Sequence, residues 1–154
     1  MAAKSRSRSR KRSNRPMSDG LAVQLQTAVV ARLRAAPAVV ALCPADQIVD
    51  RSSRPETDVL VVVGEDQIVR EDVTLADNYM HAFITLHLWH KAEDLRLVKN
   101  LADAVRSALR SGVTIGGGEV SQWRFQGSRF LRDPGGEYAH AVVTFESLIA
   151  EAVS

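Results

Sequence analysis

A single cysteine, Cys43, stands in 154 residues, so neither an internal disulfide nor a multi-cysteine zinc site is available. Apolar runs are short, and none approaches the roughly 20 residues a helix needs to cross a bilayer. No transmembrane helix and no membrane partner are expected. The basic start of the chain runs into Ser, Asn and Pro with no apolar segment behind it, which argues against a secretory signal. Synthesis inside a cell is the default expectation. Aromatic residues make up only 5% of the chain, and acids are missing altogether from residues 1–16.

Against these absences, 45% of the residues are hydrophobic and 25% charged. That composition suits one folded domain with a sizeable core. The formal net charge of +2 hides an asymmetry. Residues 1–16 carry seven of the 20 basic residues, namely Lys4, Arg6, Arg8, Arg10, Lys11, Arg12 and Arg15. The remainder holds 13 basic and 18 acidic residues, a balance of −5. The chain therefore divides into a basic Arg/Ser-rich arm over residues 1–17 and an acidic single domain over residues 18–154. The arm from Ser5 to Ser13 has no hydrophobic residue, and its like charges repel, so it is expected to be disordered by itself. Its cations suit phosphates in a salt-sensitive, sequence-independent way. They suit an acidic protein surface equally, or serve only as a solvated tail.

The body reads as an alternation of helices and hairpins. Ser18 or Asp19 is placed to cap a helix beginning near Gly20. Leu21, Leu25, Ala28, Val29 and Leu33 then form one stripe at helical spacing. Pro37 interrupts it and is pre-set to open a short turn over residues 38–42. Residues 44–58 read as a loop. Val59–Val63 is β-branched and bounded by Asp58 and Gly64, as a buried strand would be. Residues 64–79 are acidic and read as a long exposed connection or a hairpin extension. Residues 81–90 alternate, with Ala82, Ile84, Leu86 and Leu88 on one side and Phe83, Thr85, His87 and Trp89 on the other. Glu93 and Asp94 favour a second helix, whose stripe is Leu95, Val98, Leu101, Ala102, Val105 and Leu109, with Gly112 as its stop. A short strand over residues 113–115, a glycine turn, a strand over 120–131, the turn Asp133-Pro134-Gly135-Gly136 and a strand over 138–149 complete the chain. The predicted order is helix, two or three strands, helix, three strands. This is an α+β fold: a mostly antiparallel sheet with two main helices packed against it.

No motif for chemistry emerges. Gly116-Gly117-Gly118 lacks the Lys-Ser/Thr of a phosphate-binding loop. His81 and His87 share a strand face but stand about 20 Å apart at strand rise, too far to share a metal. No nucleophile elbow surrounds a serine. Cys43 lies between Leu42 and Pro44 without a base, which fits a buried thiol. The acids of residues 65–77 lack the EF-hand spacing. Trp89 and Trp123 suit core or interface anchors. No cofactor, metal or catalytic residue is assigned, which favours binding or structure over catalysis.

The layout resembles the tail-completion, or tail-terminator, proteins of long-tailed phages and gene transfer agents. The resemblance covers roughly residues 21–150. It is carried by Arg32-Leu33-Arg34-Ala35-Ala36-Pro37-Ala38-Val39, by Leu86-His87-Leu88-Trp89 and by the helix segment Leu101-Ala102-Asp103-Ala104-Val105-Arg106-Ser107-Ala108-Leu109. It continues in Arg124-Phe125, in Arg129-Phe130-Leu131-Arg132-Asp133-Pro134-Gly135-Gly136 and in His140-Ala141-Val142-Val143-Thr144-Phe145. The arm and the acidic connection depart from the pattern.

The resemblance implies a non-enzymatic, ring-forming protomer: a homo-hexamer in the virion neck, assembled in the host cytoplasm. It would cap the tail tube protein, stop polymerisation and join the tail to the head-tail connector or stopper protein, with genome DNA passing through the lumen. A stopper or connector-completion ring is the nearest alternative. A stand-alone nucleic-acid-binding module is a further one, although the acidic body lacks a basic stripe interleaved with aromatics. Six bodies would total about −30, which would repel DNA phosphates where it lines the lumen, and six arms about +42, which would bind phosphates if placed inside and could equally reach an acidic neighbour ring. Long connections often carry binding surfaces. Glu65, Asp66, Glu71 and Asp72 of the acidic loop, with Trp89, Trp123, Arg129 and Arg132, are therefore the candidate ring and tail interface.

Overall fold

The helix α1 spans Leu21–Arg34 and buries Leu25, Val29, Val30 and Leu33. The structure is a computed structural model of the chain, and it describes residues 19–50, 57–64, 66–70 and 78–152. The expected side-chain cap at Asp19 is not made: Gly20 is the N-cap, and no side chain bonds to the helix start there. Gln24 takes over at this end. Its amide donates to the Asp19 carbonyl at 2.6 Å, and its Oε1 accepts the Gly117 N–H at 2.7 Å. The helix start is thus tied to a turn 93 residues away in sequence. Pro37 opens a second, four-residue helix, α2 (Pro37–Val40), in the N1 position where its missing N–H costs nothing.

A 3-10 turn over Ala45–Gln47 leads into β1 (Ile48–Val49). This two-residue strand corrects the reading of residues 44–58 as loop alone. It pairs parallel to β2 (Val59–Val63), with Ile48 opposite Val61. Arg34 fixes it from the helix side, Nη2 donating to the Ile48 carbonyl at 2.6 Å. The acidic connection carries β3 (Gln67–Arg70), which pairs antiparallel to β4 (Tyr79–Lys91). That is the hairpin extension anticipated from the sequence, and it follows β2 along the same side of β4.

The helix α3 (Arg96–Ala108) starts later than Glu93 and Asp94 suggested. Asp94 instead accepts the Arg96 N–H at 3.0 Å just before the first turn. Residues 113–115 form no strand, only a bridge between Ile115 and Gly118. The reason is the register: β6 (Tyr138–Glu151) ends opposite Gly118, the first residue of β5 (Gly118–Arg132), so earlier residues have no ladder to join. The observed order is therefore two helices, four strands, a helix and two strands.

The six strands form one sheet in the order β1-β2-β4-β6-β5, with β3 beside β4. Only β1 is parallel to its neighbour, so the α+β, mostly antiparallel architecture stands. All three helices lie on one face. Val98, Leu101, Ala102 and Val105 of α3 and the stripe of α1 pack with Val61, Ile84, Leu86, Leu88, Val143, Phe145 and Ile149. Each such side chain taken from water contributes about 1.5–3 kcal/mol.

After α3, Gly112 takes φ 73° and donates its N–H to the Leu109 carbonyl. A Cβ there would lie 3.1 Å from the Trp123 ring. Both left-handed strain and crowding oppose any side chain. Replacing Gly112 with Ala is expected to lower unfolding stability by about 1–2 kcal/mol, measured by chemical denaturation.

Candidate functional site

Among the described residues the helices cover one face only, and no second layer lies on the other sheet face, the bare face, or beyond the two sheet edges. On the bare face, alternation brings Phe83, Thr85, His87 and Trp89 of β4 beside His140, Val142 and Thr144 of β6. His87 and His140, separated by 53 residues, meet at 2.9 Å between Nδ1 and Nε2. One nitrogen donates and the other accepts. The His140 ring lies flat on Trp89, with centroids 3.8 Å apart and planes 3° from parallel. Tyr138 on the same face donates its hydroxyl to the Thr57 carbonyl at 3.3 Å, bridging over β4 to the start of β2. His81 approaches Glu146 at 3.2 Å and stacks on Phe83. These rings rigidify the face. Among the described residues, no three His, Cys, Asp or Glu side chains converge as a metal site.

Beside them lies a shallow depression of about 400 Å³, lined by Phe83, Gln126, Gly127, Ser128, Arg129, Val142 and Thr144. Its lining supplies one cation, an amide, hydroxyls and apolar surface. No carboxylate or imidazole lines it to act as a base. Such a hollow can receive a neighbour's side chain, but has no groups to transfer a proton. Cys43 is fully buried, as its sequence context suggested, and burial pushes its thiol up to about 11, with Asp46 adding to the shift and the Val61 backbone opposing it.

The candidate interface residues fall into separate places. Trp89 sits on the bare face. Trp123 is half-buried, stacked on Phe145 at 5.3 Å, with Gly112 close to its ring. Arg129 and Arg132 are exposed on β5, the edge strand of the sheet. Asp66 lies between β2 and β3, at the opposite edge, with Thr85 of β4 donating its backbone N–H to the carboxylate. Glu65, Glu71 and Asp72 lie outside the described residues, as do all seven arm cations. Sequence reading missed the partnership between α3 and β5. Lys99 stands 5.5 Å over the Phe130 ring and Arg106 5.5 Å over Phe125. The seven-residue spacing of Lys99 and Arg106, two helical turns, was the available signal; the rings beneath them depend on strand placement.

This arrangement matches a known design. Over residues 27–150 the sequence matches the family described as Tail completion protein gp17. The chain belongs to the tail completion protein family. Its fold is also that of a chain in a solved structure titled Virion of native gene transfer agent (GTA) particle, with a TM-score of 0.75. Sequence identity to that chain is 19%, and the match covers 86% of this chain and 99% of the other. No curated protein matches. Family membership and fold together make this a structural protein of the phage-tail type. None of the described helices is long and apolar enough to cross a membrane.

Asp66 gives this site a pH signature. Burial raises its carboxyl above the usual carboxylate range, and the Thr85 N–H opposes part of that shift. The folded state therefore holds the Asp66 proton more tightly than the unfolded chain does. The stability that this proton supplies is present at low pH and is lost as pH rises through the folded pKa. Asp66→Asn keeps an acceptor for Thr85 and removes the charge. It is expected to raise the melting temperature at pH 7, with the gain shrinking toward zero near pH 4, as thermal melts across that range would show.

Proposed function

We propose that this chain is the hexameric tail terminator of a phage-like particle. Six copies close a ring on the finished tail tube, stop its polymerisation and join it to the head-tail connector. The single observation that carries this reading is the tail completion family match over residues 27–150. The likeness to a chain of the gene transfer agent virion, over nearly the whole of that chain, supports a place in the particle. A protomer with one helix-covered face and two unlike edges also suits a ring, in which each copy presents one surface to the copy before it and another to the copy after. The work is mechanical, and we assign no catalytic residue or cofactor. Assembly takes place in the host cytoplasm, and DNA passes through the lumen.

The division of the chain follows the same logic. Residues 18–154 form the ring body, whose net negative charge discourages DNA from sticking to it. Residues 1–17 act as a polycationic arm whose Lys4, Arg6, Arg8, Arg10, Lys11, Arg12 and Arg15 contact phosphates.

Electron microscopy of purified particles is expected to show a sixfold annulus of this chain where the tube meets the capsid; particles that lack the chain would overturn the reading. Deleting residues 1–16 is expected to abolish DNA binding by the purified protein in about 50 mM salt. For seven phosphate contacts on duplex DNA, the intact protein should lose roughly four orders of magnitude in affinity between 50 and 200 mM salt. Filter binding across a salt series checks both.

A further inference from the structure

The two edges of the sheet carry opposite charge. At one edge, β5 and the flank of α3 beside it hold six cations, Arg96, Lys99, Arg106, Arg124, Arg129 and Arg132, against two acids, Asp103 and Glu119; Asp103 pairs with Arg106 at 2.7 Å, and Glu146 of the neighbouring β6 pairs with Arg124 at 3.4 Å. All six cations are exposed. Lys99 and Arg106 are held over Phe130 and Phe125, so the cations sit on an aromatic base, and Phe125 itself remains 39% exposed. Beyond β5 the sheet has no further strand among the described residues. At the other edge, the described residues from the 3-10 turn through β3 hold four acids, Asp46, Asp50, Asp58 and Asp66, against one cation, Arg70, with Arg34 of α1 a second cation beside β1. Asp46, Asp50 and Asp58 are exposed.

We propose that neighbouring copies mate head to tail through these edges, the β5–α3 edge of one copy against the β1–β3 edge of the next. The inference rests on the ring reading and adds which surfaces form its joints. The charge pattern selects this geometry in two ways. Opposite edges attract and steer two copies into register. Like edges repel, so the symmetric pairing of β5 with β5 or of β1 with β1, which would close a dimer, is disfavoured. What remains is a heterologous joint, which repeats around an axis until it closes. Phe125 and the apolar shafts under Lys99 and Arg106 supply surface to bury once the charges have aligned.

A mixing experiment with the full chain tests this. Variant one carries Arg96→Glu, Lys99→Glu and Arg129→Glu, and so has two acidic edges. Variant two carries Asp46→Lys, Asp50→Lys and Asp58→Lys, and so has two basic edges. Circular dichroism and thermal melts matching the unsubstituted chain establish that both fold. In native mass spectrometry each variant alone is expected to lose at least tenfold in ring population. An equimolar mixture is expected to regain rings, built from equal numbers of the two variants in alternation. Rings from either variant alone, or a mixture that stays monomeric, would overturn the edge assignment while leaving the ring itself standing. If variant one forms rings normally but no longer retains DNA on a filter, the basic edge is a nucleic-acid surface and the assignment falls. If the unsubstituted chain forms no ring in solution or on tails, the ring reading fails first, and this inference fails with it.

Discussion

The ladder between β4 and β6 is the constraint on which the rest of the molecule depends. It runs for thirteen residue pairs, from Tyr79 opposite Ala150 to Lys91 opposite Tyr138, without a register shift. Every second pair points into the core: Ala82 with Ser147, Ile84 with Phe145, Leu86 with Val143, Leu88 with Ala141. The helices pack against these residues. A slip of one residue would send this whole set to the other face. It would also part His87 from His140 and His140 from Trp89, because those contacts rest on the same register.

The same ladder decides what the protein can present to others. Since α1, α2 and α3 all pack on one face, no described element covers the other face beyond its interlocked rings, and no described strand extends the sheet past β1 or β5. Leu60 and Val62 of β2, which lie outside the helix-covered core, are buried beside Trp89 and His87 of β4. The hollow beside the rings holds a single charged side chain, Arg129, and the lone thiol is sealed at the core.

Side-chain anchors compensate where backbone structure is weak. Arg34 reaches the carbonyl of Ile48, Gln26 donates to that of Val63 at 2.8 Å, and Arg32 to that of Ala108 at 3.2 Å. One helix thereby ties down β1, the end of β2 and the end of α3. Burying such carbonyls unpaired would cost about 1–3 kcal/mol each. These bonds explain how a two-residue strand persists at the rim.

Local pattern was enough for much of this. The stripes of α1 and α3, the buried run Val59–Val63, the alternation of β4 and the Asp133–Gly136 turn were all legible, because period and turn chemistry are properties of neighbouring residues. So were the α+β class and the kinship with tail completion proteins. Tertiary structure alone decided the rest. Ile48 and Val49 are too short a run to show a period, and become a strand only because β2 lies alongside. Residues 113–115 have strand-forming side chains but reach only the single bridge from Ile115 to Gly118. Asp66, outwardly one more acid in an acidic loop, is drawn into the sheet by the Thr85 N–H. The acids near residues 46–66 and the cations of residues 124–132 are visible as clusters along the chain, but their placement on opposite rims is not. It appears once strand order carries β5 to one side and β1 to the other, because which residues share an edge is set by long-range pairing and not by sequence distance.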